Sequence, residues 1–182
     1  MKTVAVLVGS LRRESINRKF AESLAKLAAG KLEFRFVEIG DLPHYNDDLW
    51  QDPPKSVLRL KQDIESADAV LFVTPEYNRS FSGVLKNAID WGTRPWGKNS
   101  WKGKPSAIVG ASPGAIGTAV AQNALRPVVD VVDTVIMSQP EVYFAYKAEA
   151  FAEDGSLKDE KTKEFLAGWV NKFASWIDKV GK

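Results

Sequence analysis

Ser10, Arg12, Ser15 and Asn17 are four of the eight polar or charged residues that crowd the stretch GSLRRESINRKF, Gly9 to Phe20. The stretch follows directly on the apolar run Thr3 to Val8, where a strand should end and a helix begin. A helix amino terminus offers unpaired N–H groups and about half a positive charge, a suitable place for an anion. Serine, asparagine and arginine side chains add donors and a charged fork, so the chemistry suggested is the binding of a phosphate. Simple capping by Ser15 or Asn17, with Arg12 and Arg13 in solvent, is the competing explanation, and it accounts for one of the four residues. Glu14 is compatible with an anion site only if it points outward.

Two more loops carry unusual residues. In TPEYNRSFSGVLKNAIDW, Thr74 to Trp91, Pro75 stops a strand. Tyr77 and Asn78 then place an aromatic face and an amide on an exposed turn that Gly83 closes before a helix. A flat ring could lie there, or Tyr77 could pack on the core. In GASPGAIGTA, Gly110 to Ala119, glycines let backbone N–H groups approach a ligand closely. Glycine is common wherever a strand turns into a helix, so that loop decides little alone.

Several chemistries are excluded by near-misses. Gly110 to Gly114 satisfies G-x-S-x-G, but Pro113 follows the serine and has no N–H for an oxyanion hole, and the single histidine, His44, precedes it in the chain. GTRPWGK, Gly92 to Lys98, has Asn99 where a nucleotide-binding P-loop needs Ser or Thr, and it follows a helix rather than a strand. Leu11 and Glu14 occupy the later glycine positions of a dinucleotide fingerprint begun at Gly9. With one histidine and no cysteine, disulfides, thiolate chemistry and a transition-metal site are not expected. Asp41, Asp47 and Asp48 read as a solvated turn, and Trp91, Trp96 and Trp101 as core or interface residues before substrate-rim residues.

The elements that must hold these loops are legible in outline. Short apolar runs, Thr3 to Gly9, Leu32 to Ile39, Ala67 to Thr74, Pro105 to Ala111 and Asp133 to Met137, alternate with helix-period segments. The helices are expected over Ile16 to Ala29, Ser56 to Ser66, Gly83 to Trp91, Gly117 to Val132 and Asp159 to Val180, with Glu141 to Glu160 as a loop or arm. Near-continuous apolar character in the first, third and fourth runs suits parallel strands buried on both faces. The alternation predicts a single α/β domain over residues 1–182, a doubly wound three-layer sandwich on a five-stranded parallel sheet of flavodoxin-like order 2-1-3-4-5. Such a sheet binds its ligand outside the carboxyl ends of the strands where the order reverses, between strands 1 and 3.

The 182 residues, 45% of them hydrophobic, suffice for one core, and a formal charge of +2 without like-charge runs gives no footprint for nucleic acid. No segment approaches the roughly 20 apolar residues of a membrane span, and the start lacks signal-peptide character. A cytoplasmic protein with no membrane insertion is expected.

GSLRRESIN resembles the G-S-x-R-x-x-S-x-N loop of the NADPH-dependent FMN reductase family, and Pro75 to Trp91 is similar to its P-E-Y-N-x-S-x-x-G-x-L-K-N-A-I-D-W stretch. With SPGAIGTA and the strand order, the likeness covers most of the chain, and it is greatest to the quinone and chromate reductases. The resemblance implies bound FMN, NADPH or NADH as hydride donor, ping-pong transfer to a small-molecule acceptor (quinone, flavin, chromate or azo compound), and a homodimer or homotetramer. Carried over by motif, Ser10, Arg12, Ser15, Ile16 and Asn17 would hold the FMN phosphate. Pro75, Glu76, Tyr77 and Asn78 would lie along the isoalloxazine ring, and Ser112 and Gly114 would face its pyrimidine edge. Ser82, Val84 and Thr118 depart from the family pattern beside the ring, where relatives often have proline, glycine and glycine. No catalytic acid or base and no metal ligand is assigned, because the cofactor carries the chemistry. A flavodoxin-type carrier of single electrons is the alternative, as is a binding module for another phosphate.

Overall fold

The computed structural model describes residues 1–181. The apolar runs form the strands β1 (Lys2–Val8), β2 (Leu32–Val37), β3 (Ala69–Val73) and β4 (Pro105–Ser112). β1, β3 and β4 are buried because helices cover both faces of the sheet, while β2, at its edge, buries only Leu32 and Val37. Along β1 the side chains alternate between two cores: Val4, Val6 and Val8 enter one, Ala5 and Leu7 the other. The first core lies under α1 (Ile16–Ala28) and α5 (Glu160–Val180); the second lies under α2 (Lys55–Glu65), α3 (Gly83–Thr93) and α4 (Ala119–Val131). This is the expected three-layer sandwich. All strand pairs are parallel, in the order β2-β1-β3-β4-β5, so the order reverses between β1 and β3 as anticipated.

The fifth position differs from expectation. A single strand over Asp133 to Met137 was expected there, but two short segments share the edge. β5 (Val135–Ile136) pairs with Pro105 and Ser106, and β6 (Tyr143–Ala145) pairs with Gly110 to Ser112. Pro140 explains the interruption, since it has no N–H to continue a ladder. The segment expected to be a loop or arm therefore supplies sheet, and Phe144 stacks on Phe20 of α1 with ring centroids 4.6 Å apart.

Helix α1 is capped by Ser15 Oγ, which accepts from the Arg18 N–H, and α5 is capped in the same way by Asp159. Ser82, one of the departures from the family pattern, caps α3 at Leu85. Trp91 and Trp101 are fully buried, while Trp96 is 89% exposed. Among the described residues no helix is long and apolar enough to cross a membrane.

Gly92 sits in the last turn of α3 because Trp101 leaves no room there. A Cβ at Gly92 would lie 2.5 Å from atoms of the indole. Alanine ordinarily stabilises a helix by about 1 kcal/mol over glycine. Here Gly92→Ala is expected to lower stability instead, by roughly 1–3 kcal/mol of overpacking. Urea unfolding checks this, and a raised midpoint would contradict it.

Candidate functional site

The loop after β1 leaves the sheet at Gly9, whose N–H still donates to Val73 O at 2.9 Å. A Cβ there would come within 2.5 Å of Ser82 Oγ and 2.6 Å of Leu85 Cδ1, so only glycine lets this loop close onto α3. From Ser10 to Asn17 the backbone N–H groups have no protein acceptor among the described residues. Arg12 is exposed and forms no ion pair among those residues. Glu14 points away: Lys19 Nζ lies 2.6 Å from its carboxylate and holds the carboxyl below its usual range. The condition for an anion site in this loop is met.

Two residues of this loop are used by the fold as well. The Ser15 hydroxyl is engaged in its cap, 3.1 Å from the Arg18 N–H. The buried Asn17 amide donates from Nδ2 to Ala111 O at 2.9 Å and accepts at Oδ1 from the Ala111 N–H at 2.8 Å. Asn17 thus joins the amino end of α1 to β4.

The loop after β3 turns tightly. Tyr77 and Ser80 exchange backbone hydrogen bonds of 2.9 and 3.0 Å, and between them Asn78 and Arg79 have φ of 51° and 64°. Both central residues are left-handed, a conformation asparagine tolerates and arginine adopts at some cost. Tyr77 stays half exposed, with its hydroxyl 3.4 Å from Ser10 Oγ, a long contact between the first two loops. The Glu76 side chain is directed elsewhere: Oε2 accepts from the Ala121 N–H at 3.1 Å. The sequence reading missed this link because its ends are 45 residues apart, and no local pattern announces it.

In the loop after β4, the Ser112 hydroxyl donates to Gly114 O at 3.1 Å, and the Gly117 N–H donates to the same oxygen at 3.2 Å. The N–H groups of Gly114, Ala115 and Ile116 have no protein acceptor among the described residues. Gly110 is required by packing, since a Cβ there would meet Thr118 Oγ1 at 2.2 Å. Thr118 itself is buried at φ 71°, which explains why glycine suits that position and makes a branched residue there strained. Helix α4 accordingly starts at Ala119 rather than Gly117.

These loops enclose a cleft of about 150 Å³ at the carboxyl ends of the strands. Ser10, Arg12, Ile16 and Asn17 line one side, with Pro75, Glu76, Tyr77 and Ser112 around the rest; Ala111 and Pro113, which the sequence reading did not name, complete it. Ser15, Asn78 and Gly114 do not line this cleft; Ser15 lies beneath it as the cap, and the other two belong to its flanking loops. A larger groove of about 1070 Å³ flanks the amino end of β4, between Trp50, Leu58, Trp96 and Val131. Its buried cation is already satisfied: Lys61 Nζ donates to Lys98 O at 2.7 Å and Ser100 Oγ at 2.6 Å, and burial pushes its pKa down. The larger groove holds one unmet donor, the buried Trp50 Nε1, whereas the smaller cleft has a row of unmet N–H groups with Arg12 beside them. That set fits a phosphate, and Tyr77 offers an adjoining aromatic face.

Residues 1–149 match the family described as NADPH-dependent FMN reductase. The chain is 51% identical over 176 residues to a quinone reductase of Pseudomonas putida, covering 96% of this chain and 94% of the relative. It is 49% identical over 174 residues to a 2-hydroxy-1,4-benzoquinone reductase of a Burkholderia species, covering 96% and 95%. Among solved structures it superposes on FerB, a flavoenzyme NAD(P)H:(acceptor) oxidoreductase from Paracoccus denitrificans, with TM-score 0.98, 61% identity and full coverage of both chains. The motifs, the sheet order and these matches coincide, and the chain belongs to the NADPH-dependent FMN reductase family.

Proposed function

We propose that the protein transfers two electrons from NAD(P)H, by way of FMN held in the cleft between β1 and β3, to a quinone. The observation that carries this reading is the row of unpartnered N–H groups from Ser10 to Asn17 beside Arg12, next to the half-exposed ring of Tyr77. FMN bound there would supply the redox chemistry, hydride uptake from the nicotinamide and two-electron transfer to the acceptor. The chain's own task is to bind and orient. The loop that carries Ser10, Arg12, Ser15, Ile16 and Asn17 would hold the phosphate, with Arg12 giving the charged contact, Ser15 capping α1 behind the cleft and Asn17 fixing the loop through Ala111. Pro75 to Asn78 form the edge along which the ring lies. Ser112 and Gly114 shape the opposite edge, where the N–H groups of Gly114 to Ile116 stabilise negative charge that reduction places on the flavin.

The names of the relatives favour quinones as acceptors. Free flavin, chromate and azo compounds are further candidates for the same open cleft. The reaction belongs in the cytoplasm, where NAD(P)H is supplied. The exposed Trp96, Leu58 and Val131 around the larger groove support a homodimer or homotetramer. Light scattering should show such an assembly; a monomer at micromolar concentration would contradict it.

With NADPH and benzoquinone varied together, a shared site for donor and acceptor predicts parallel double-reciprocal lines. Intersecting lines would mean that both bind at once. Arg12→Ala is expected to weaken FMN binding by roughly 1.5–3 kcal/mol through loss of a charged hydrogen bond, with the unfolding midpoint of the apo protein unchanged. Asn17→Ala should lower both, since it also leaves Ala111 unpaired. Titration with FMN and thermal unfolding of the two apo proteins separate these outcomes.

A further inference from the structure

Helix α4 begins without a side-chain cap of its own. Thr118 occupies the cap position, but its hydroxyl accepts from Gln122 Nε2 at 3.1 Å instead of from an N–H of the first turn. Glu76, from the loop after β3, takes that role, accepting the Ala121 N–H at 3.1 Å. Its side chain is 14% exposed, and its other oxygen, Oε1, lies 3.8 Å from Nη1 of Arg79, which is 70% exposed. Glu76 also lines the cleft beside Tyr77 and Ser112. A largely buried carboxylate therefore ties the loop after β3 to the first turn of α4, which follows the loop after β4.

We propose that Glu76 is a positioning residue that fixes the spacing of the loops after β3 and β4 and, through its charge, sets the reduction potential of the flavin held between them. The second half rests on the FMN reading above. The amino end of α4 directs partial positive charge toward the Ser112 to Thr118 loop, and the Glu76 carboxylate offsets it. Reduction adds negative charge to the flavin. The α4 terminus and the N–H groups of Gly114 to Ile116 favour that charge, whereas Glu76 opposes it. Arg79 faces Glu76 from the same turn, but at 3.8 Å and mostly in water it offsets only part of the carboxylate's field. Removing the carboxylate's charge leaves Arg79 and the helix terminus unopposed, so both effects shift the potential in one direction, upward.

Two substitutions separate position from charge. Glu76→Gln keeps a carbonyl oxygen for the Ala121 N–H and removes the charge; Glu76→Ala removes both. In the apo proteins, hydrogen exchange at Ala121 is expected to stay near the wild-type rate in Glu76→Gln and to rise roughly tenfold in Glu76→Ala. With FMN bound, Glu76→Gln is expected to raise the preference for reduced over oxidised FMN roughly tenfold, an upward shift of about 30 mV for a two-electron couple. Unchanged exchange in Glu76→Ala overturns the positioning role, and an unchanged potential in Glu76→Gln overturns the tuning role. Failure of the wild-type protein to take up FMN would instead defeat the functional reading and the tuning role together, while the exchange measurement still decides the positioning role.

Discussion

The cleft depends on one side chain that stands in for a missing stretch of strand. β3 and β4 pair up to Val73 and Val109, and the Thr74 N–H to Val109 O makes the last rung. Pro75 then ends β3, leaving the same edge of β4 unpaired two residues on, at Ala111. Asn17 fills that gap with both ends of its amide, 94 residues away in sequence. Each bond contributes about 0.5–1.5 kcal/mol net, but leaving the buried Ala111 groups unmet would cost about 1–3 kcal/mol each. α1 must therefore cross over β3 to reach β4, and the loop that precedes it is held above the carboxyl ends of the strands.

That placement suits the cleft to the binding role proposed for it. Its donors are backbone groups fixed by the fold, and Arg12 forms no ion pair among the described residues, the nearby Glu14 being paired with Lys19. An anion entering the loop meets donors already oriented, with little reorganisation to oppose binding. The neighbouring loops are tied in turn by Tyr77 to Ser10 and by Glu76 to Ala121. A hydride-transferring cofactor asks for this kind of rigidity, because the rate depends on holding reacting groups in line.

What could be read from the sequence follows from how local each signal is. β1, β3 and β4 stand out because strands buried on both faces are continuously apolar, and GSLRRESIN shows its helix start through Ser15, three residues before the N–H it caps. The edge was misread because β5 has only two residues and β6, Tyr143 to Ala145, has three, set at exposed and half-buried positions. Side chains whose partners lie far away make contacts that no local pattern announces. Asn17 was read for an anion and also pairs Ala111; Glu76 was read for a ring and caps α4. Thr118 was read only as a departure from the family pattern, and the fold places it at a left-handed position packed against Gly110.

The most direct measurement is the visible spectrum of the protein loaded with FMN, recorded anaerobically before NADPH, after it, and again after benzoquinone. Stoichiometric uptake, bleaching by NADPH and full recovery with quinone are the predicted results. Bound flavin that NADPH leaves oxidised would show that the cleft holds the cofactor without the proposed reaction.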